Sequence, residues 1–298
     1  MVEKFLPGNW LPGLAALLML CLHIPPAAAA EWTLEVQPAA LKPGDVALLE
    51  MTPTAEVASA TLLWQDRRIP LVTVADGRRL AALIGIPRDT GPGSYRAELH
   101  VTLRNGQCRR DHVPLEIREK TFLEQHLSLP QRQVTPDRAA LARHRRERDR
   151  INRVFAESLP QKLWQDPFQL PVDGRLLSPF GVQRILNGQP RSYHSGVDQR
   201  ARLGEPVAAA GDGLVVLTAD HFFAGNSVYI DHGMGIVTMY FHLSAIQVEA
   251  GQRVAAGQTI GLAGATGRAS GPHLHWGARV HNIKVDPLAL VRLLSTAP

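Results

Sequence analysis

Apolar and polar residues alternate along much of this chain, which is the two-residue period of a β-strand. In "YRAELHVTL" (95–103) the odd-numbered positions are apolar or aromatic and the even-numbered positions are polar or charged. Asn105-Gly106 follows, a pair typical of tight hairpin turns, and "HVPLEI" is the returning strand. Similar runs precede it: "WTLEV", "DVALLEM", "ATLLW" and "RLAALIGI". Short strands at this spacing predict an immunoglobulin-like β-sandwich over residues 31–118.

The segment that follows has the period of a helix. Ile151, Val154 and Phe155 form an apolar stripe at helical spacing, and Pro160 ends the pattern. The arginine-rich part, 143–150, is either a partner-binding face or, as we favour, a solvated surface with acid–arginine pairs. Residues 119–167 are therefore predicted to be a helical linker.

From about residue 168 the composition shifts to Gly, Val, Ala and His, and short β-runs return. "GLVVLTAD", "SVYIDHG" and "IVTMYFHLS" predict strands, and "VEAGQRVAAGQTIGLAGATG" predicts two more, joined by glycine turns. In "GPHLHWGARV" (271–280), a strand would place His273 and His275 on one face and Leu274 and Trp276 on the other. Residues 168–298 are thus predicted to be an all-β domain that carries the chemistry.

Composition and the N-terminus narrow the class of protein. The 298 residues carry a formal net charge of +5, which suits an anionic surface or polymer, but no aromatic-plus-basic motif indicates nucleic acid. Residues 1–30 resemble a signal peptide, with an apolar run (14–22) and small residues before a cleavage site after Ala30. We expect export to the periplasm or cell envelope, without a membrane span in the mature chain. Cys108 would then be the one cysteine left, and we expect it to be partly buried and structural.

Four histidines and an aspartate are concentrated in the glycine-rich third region. His194 and Asp198 in "YHSGVD", with one histidine of the 273/275 pair, would supply three zinc ligands and leave a fourth position for water. His242 in "MYFHLS" and the other histidine of the pair would remain to transfer protons or stabilise an oxyanion. A single histidine at a strand end is more often structural, but four histidines and an aspartate in one domain favour a site.

These motifs, in this order, resemble the M23 family of zinc metallopeptidases, the lysostaphin/LytM-like peptidoglycan endopeptidases. The resemblance covers about residues 170–290 and includes "SPFG", "YHSGVD", "GNSVYIDHG", "FHLS", "VAAGQTIGLAGATG" and "SGPHLHW". It implies an M23/LytM-like β-sheet fold, with His194, Asp198 and His275 as ligands of one Zn²⁺. It also implies that His242 and His273 are the catalytic pair.

The resemblance implies a zinc-dependent endopeptidase that hydrolyses peptide cross-links of bacterial peptidoglycan, and we expect a D,D-endopeptidase. One alternative is a non-catalytic LytM-type activator of cell-wall amidases, although such members have lost ligands and all five positions are intact here. Another is a wall-binding module with a structural metal, although structural zinc normally has four protein ligands.

The resemblance leaves the substrate-binding residues and the oligomeric state open. Some members place a tyrosine close to the zinc, and Tyr193 and Tyr240 are the nearby candidates. Substrate preference would lie in the loop "RILNGQPRS" (184–192).

Overall fold

Most regular structure in the described part of this chain is β-sheet, as the alternating pattern predicted. The computed structural model describes residues 31–74, 77–127 and 137–295, and the predicted signal peptide lies outside them. These residues form 23 strands and two helices. Neither helix is long and apolar enough to cross a membrane.

The N-terminal strands form two sheets. Their bounds are β1 (Trp32–Gln37), β2 (Ala40–Leu41), β3 (Val46–Pro53), β4 (Val57–Trp64), β5 (Arg67–Pro70), β6 (Val72–Thr73), β7 (Leu80–Gly85), β8 (Gly93–Leu103) and β9 (Cys108–Ile117). One sheet has the order β1-β3-β7-β6 and the other β2-β9-β8-β4-β5. The Trp64 indole N–H donates to the Gly85 carbonyl oxygen (3.0 Å) and links the two sheets. The immunoglobulin-like character of this pair of sheets stays a prediction.

The predicted hairpin is present between β8 and β9. Gly106 has a φ of +84°, which glycine adopts without strain, and its N–H donates to the Leu103 carbonyl oxygen. The Asn105 side chain accepts from the Gln107 N–H, which closes the turn. Cys108 is exposed. The expectation of a partly buried cysteine is wrong, because position 108 falls on the solvent face of the alternating strand β9.

The remaining strands form three further sheets. Their bounds are β10 (Glu124–Leu127), β11 (Leu176–Ser178), β12 (Gln183–Leu186), β13 (Gln189–Tyr193), β14 (Gly196–Gln199), β15 (Pro206–Ala208), β16 (Gly213–His221), β17 (Gly225–Gly233), β18 (Ile236–Leu243), β19 (Ala245–Ile246), β20 (Arg253–Val254), β21 (Thr259–Leu262), β22 (Leu274–Val280) and β23 (Ile283–Val285). The largest sheet has the order β11-β14-β22-β18-β17-β16-β20, with β23 also paired to β22. The smaller sheets have the orders β10-β12-β13 and β15-β21-β19.

Helix α1 (Arg138–Ala156) packs on one face of the largest sheet; the second helix is α2 (Pro287–Leu294). The predicted stripe is confirmed, because Phe155 is buried against β16, β17 and β18, with Ile151 and Val154 beside it. Arg143 pairs with Glu147 on the side of the helix that meets β16, where its guanidinium donates to the Asp220 carbonyl oxygen. Because side chains alternate along each strand, the sheet face under α1 is also the face from which Phe241 and His275 project.

The N-terminal sheets and the largest sheet share one apolar core, and the described residues from Glu31 onward form one compact unit. A Cβ on Gly85 would lie 3.1 Å from side-chain atoms of Ile283 and Val285, so β7 packs closely on β23. The Asp286 N–H also donates to the Gly44 carbonyl oxygen (2.7 Å). The division into residues 31–118, 119–167 and 168–298 therefore stays a prediction from the sequence.

A buried polar network stabilises the centre of the largest sheet around His232, which has no exposed surface. Its Nδ1 lies 2.7 Å from the Asp212 carbonyl oxygen and its Nε2 lies 2.7 Å from Thr238 Oγ1. Because a carbonyl oxygen only accepts, Nδ1 carries the proton and Nε2 accepts from the hydroxyl. Burial lowers the pKa of His232 to about 4, so the ring is neutral in the fold at neutral pH.

We expect His232 to make the fold sensitive to mild acid. Its folded pKa of about 4 lies below its ordinary value of 6.5. The contribution of the neutral ring to the free energy of unfolding is therefore fully present above pH 6.5. Between these values the unfolded chain binds a proton that the folded chain excludes, so the contribution is lost as the pH falls. Between pH 7 and pH 5 this costs about 2 kcal/mol of the free energy of unfolding.

Urea unfolding of the wild type and His232→Asn at both pH values measures this effect. On acidification from pH 7 to pH 5, the free energy of unfolding of the wild type should fall by about 2 kcal/mol more than that of the variant. The exposed His112 is the matched control, and His112→Asn should behave as the wild type does. Equal losses in the wild type and His232→Asn would contradict the assignment.

Candidate metal centre

Three metal-binding side chains converge at β14 and β22. These strands pair antiparallel with Asp198 opposite His275, and His194 comes two residues before β14. Asp198 Oδ1 lies 2.9 Å from His194 Nε2 and 2.8 Å from His275 Nδ1, and the two nitrogens are 3.0 Å apart. In the described part of the chain these residues form a group that could hold a metal ion.

Hydrogen bonds behind His194 orient its ring for metal binding. Its Nδ1 lies 2.8 Å from the Pro179 carbonyl oxygen and 3.2 Å from Ser178 Oγ. The carbonyl requires a proton on Nδ1, which leaves a lone pair on Nε2, aimed at Asp198 and His275. Lone pairs on three atoms so close together repel unless a proton or a cation lies among them. Two imidazole nitrogens and one carboxylate oxygen fit Zn²⁺, with room for a non-protein ligand.

The protonation states also suit a cation. Burial alone would raise the pKa of Asp198, but the close imidazoles of His194 and His275 outweigh it and hold that pKa well below its usual range. Burial lowers the pKa of His275, and this effect exceeds the opposing influence of Asp198. The site therefore offers an ionised carboxylate and a neutral imidazole, the forms that bind metal ions.

His242 and His273 lie next to this group, with their ring centroids 4.9 Å apart. Each Nδ1 is 2.8 Å from a carbonyl oxygen, that of Thr266 for His242 and that of Gly271 for His273. Each Nδ1 therefore donates, and each Nε2 keeps a lone pair. Burial, followed by the effect of neighbouring histidines, lowers the pKa of His242 to about 4. The hydrogen bonds from Nδ1 thus leave the two Nε2 atoms as the positions from which these rings can exchange protons.

The strand predicted for residues 271–280 is shorter than expected. β22 begins at Leu274, and His273 precedes it in an isolated bridge with Gly264. His273 Nε2 nevertheless lies 3.8 Å from Asp198 Oδ1, so both imidazoles face the same carboxylate. Leu274 and Trp276 are completely buried on the opposite face, as the alternation predicted.

Two neighbours explain how the metal-binding side chains are held. A Cβ on Gly196 would press on the Trp276 carbonyl oxygen and lie 2.8 Å from His275 Nε2, so β14 reaches β22 only with glycine there. Phe241 lies opposite His275 in the register of β18 and β22. The two rings stack with centroids 5.3 Å apart and planes 6° apart. Sequence reasoning missed Phe241, although its place before His242 was a signal.

The tyrosine candidates lie apart from the metal-binding group. Tyr240 is wrong as a zinc neighbour, because it points from β18 into the main core and its hydroxyl accepts from the Ala210 N–H. Burial raises the pKa of Tyr240 to about 12. Tyr193 packs against Phe180 and under the Arg88 guanidinium. The loop 184–192 is largely the hairpin of β12 and β13, and its Arg184 approaches Asp198 with Nη2 3.8 Å from Oδ2.

Comparisons with known proteins point to one family. The profile of peptidase family M23 matches residues 192–287. The peptidoglycan DD-endopeptidase ShyA of Vibrio cholerae is 43% identical over 132 residues, which are 43% of this chain and 31% of ShyA. The DD-carboxypeptidase/endopeptidase Mpg of Neisseria meningitidis is 39% identical over 116 residues, which are 39% of this chain and 27% of Mpg.

A solved structure extends the likeness beyond the profile match. It is a crystal structure of a peptidase M23 protein from Pseudomonas aeruginosa, with a TM-score of 0.63 and 32% identity. The match covers 84% of this chain and 94% of that chain. By contrast, the present chain spans about a third of the length of the curated relatives named above.

Proposed function

The chain belongs to peptidase family M23, and on that premise we propose that it is a zinc-dependent endopeptidase that hydrolyses peptide cross-links of bacterial peptidoglycan. The observation that carries the proposal is the convergence of His194, Asp198 and His275, with His242 and His273 beside them. A metal position with room for water, next to two imidazoles that can transfer protons, is what metal-assisted hydrolysis of an amide requires.

We assign each of the five residues a role. His194, Asp198 and His275 would hold one Zn²⁺, which when bound polarises a carbonyl and lowers the pKa of a bound water. The Nε2 atoms of His242 and His273 would accept a proton from the attacking water. Once protonated, either nitrogen can donate a hydrogen bond to the developing oxyanion or return the proton to the leaving amine.

The substrate is proposed from chemistry and from the relatives. ShyA is named a DD-endopeptidase and Mpg a DD-carboxypeptidase/endopeptidase, so a D,D cross-link is the proposed target. The net charge of +5 favours association with an anionic wall polymer. The proposed location is the periplasm or cell envelope, where such a substrate is present.

Digestion of purified sacculi tests the proposal. With zinc present, we expect cross-linked muropeptide dimers to decrease and monomers, one water heavier in total, to accumulate in the mass spectrum. Chelation should stop this conversion and added Zn²⁺ should restore it. Dimers that persist at saturating zinc, together with a cell-wall amidase that works faster when this protein is added than without it, would instead support the amidase-activator alternative.

A further inference from the structure

Arg184 approaches the metal centre from the β12 side. Its Nη2 lies 3.8 Å from Asp198 Oδ2, a distance at which the charges attract without a close hydrogen bond. Its Nε is buried and has no hydrogen-bond partner among the described residues. The side chain keeps 34% of its surface exposed, so a ligand in the site can reach the guanidinium.

Arg268 lies in the loop between β21 and β22. It comes two residues after Thr266, whose carbonyl oxygen accepts from His242. Its own backbone N–H donates to the Phe223 carbonyl oxygen (2.9 Å), and its guanidinium lies 4.3 Å from the centroid of the Phe223 ring. In the part of the chain that the structure describes, no carboxylate pairs with this guanidinium, and the residue is exposed.

The charges near these two arginines are not balanced. Partial burial lowers the pKa of Arg268, and the positive charge of Arg184 lowers it further. Asp198 is the carboxylate that faces Arg184, but its Oδ1 already contacts His194 and His275. Two like charges near one another repel without a closer counter-charge, and guanidinium groups bind carboxylates with strong charge-assisted hydrogen bonds. An anionic ligand would supply the missing charge.

We propose that Arg184 and Arg268 form an anion subsite that binds a free carboxylate of the substrate peptide beside the scissile amide. The inference rests on the proposed function, because a cross-linked stem peptide can carry such a carboxylate on the residue that donates the amide nitrogen. Binding this group would orient the cross-link over the metal centre. It would also favour peptides with a free carboxylate over those in which the same group is a carboxamide.

The test uses the chain without its signal segment and two synthetic cross-linked peptides, one with a carboxylate beside the scissile amide and one with a carboxamide. Calorimetry on chelator-treated protein measures binding without turnover. We expect the wild type to bind the carboxylate peptide about 10- to 100-fold more tightly than the carboxamide.

Arg184→Gln and Arg268→Gln should each remove most of this preference, and Arg184→Lys should keep part of it. The exposed Arg96 of β8 is the control, and Arg96→Gln should keep all of this preference.

Values of kcat/KM for both peptides, with zinc present, separate substrate binding from a structural role. If Arg184 only positions Asp198, Arg184→Gln will lower kcat/KM for both peptides by the same factor, and that result overturns the proposal. Equal binding of the two peptides by the wild type, or no binding of either, overturns it as well. A carboxylate preference in binding with no hydrolysis of either peptide would instead contradict the proposed function and leave the subsite supported.

Discussion

Replacing His194 with alanine is expected to empty the metal site and to lower turnover by about 1,000-fold or more. Nε2 of His194 is one of three converging ligand atoms, and the Pro179 carbonyl oxygen holds its ring in place. A bound metal contributes several kcal/mol to the stabilisation of the transition state, and each 1.36 kcal/mol is a factor of ten in rate.

Metal analysis and rates on cross-linked muropeptides check this expectation together. The wild type should hold about one zinc per chain, because the three ligands form one site. His194→Ala should hold close to none. The urea midpoint of chelator-treated protein should change little, since the substitution removes a group crowded against two other donors. His112→Ala, at an exposed position, is the control for loss of an imidazole. Full zinc occupancy in His194→Ala would contradict the assignment of His194 as a ligand.

Replacing His242 or His273 with alanine is expected to lower turnover by about 100- to 10,000-fold while zinc stays bound. Both rings donate from Nδ1 to backbone carbonyl oxygens and present Nε2 toward the site. Neither residue belongs to the converging set of three ligands. The loss should therefore appear in kcat, because proton transfer is a feature of the transition state.

Zinc content separates a proton-transfer role from a ligand role. Each variant should retain the zinc of the wild type and bind a cross-linked peptide with similar affinity. If His273→Ala lost its zinc and His275→Ala kept it, the roles of these two histidines would be exchanged. Activity close to that of the wild type in both His242→Ala and His273→Ala would contradict the proposed proton transfer.

Local structure could be predicted where one periodicity dominates. The β8–β9 hairpin followed from strict alternation and the Asn105-Gly106 turn, and both are present. The buried stripe of α1 followed in the same way from helical spacing. The start of β22 could not be predicted, because its pattern extends to residue 271 while pairing with the neighbouring strands begins at Leu274.

The residues of the site also differ in whether the sequence could reveal them. The five histidine and aspartate positions could be named from motifs, since these residue types are needed for metal binding and proton transfer. Arg268 and Phe241 were missed, and Arg184 was named only as part of the loop 184–192, because their relation to the site depends on which strands and loops meet. Phe241 reaches His275 through the register of β18 with β22, and Arg184 reaches Asp198 from a separate sheet.

The sequence by itself determined the all-β class, the faces of the long strands and the residue types available for zinc chemistry. The reason is that these properties depend on neighbours one to four positions away. Only the tertiary structure decided that Asp198 lies opposite His275, that Tyr240 points into the core and that Arg184 approaches Asp198. Such contacts join residues far apart in the chain, and they are set by strand register and core packing, which no local pattern encodes.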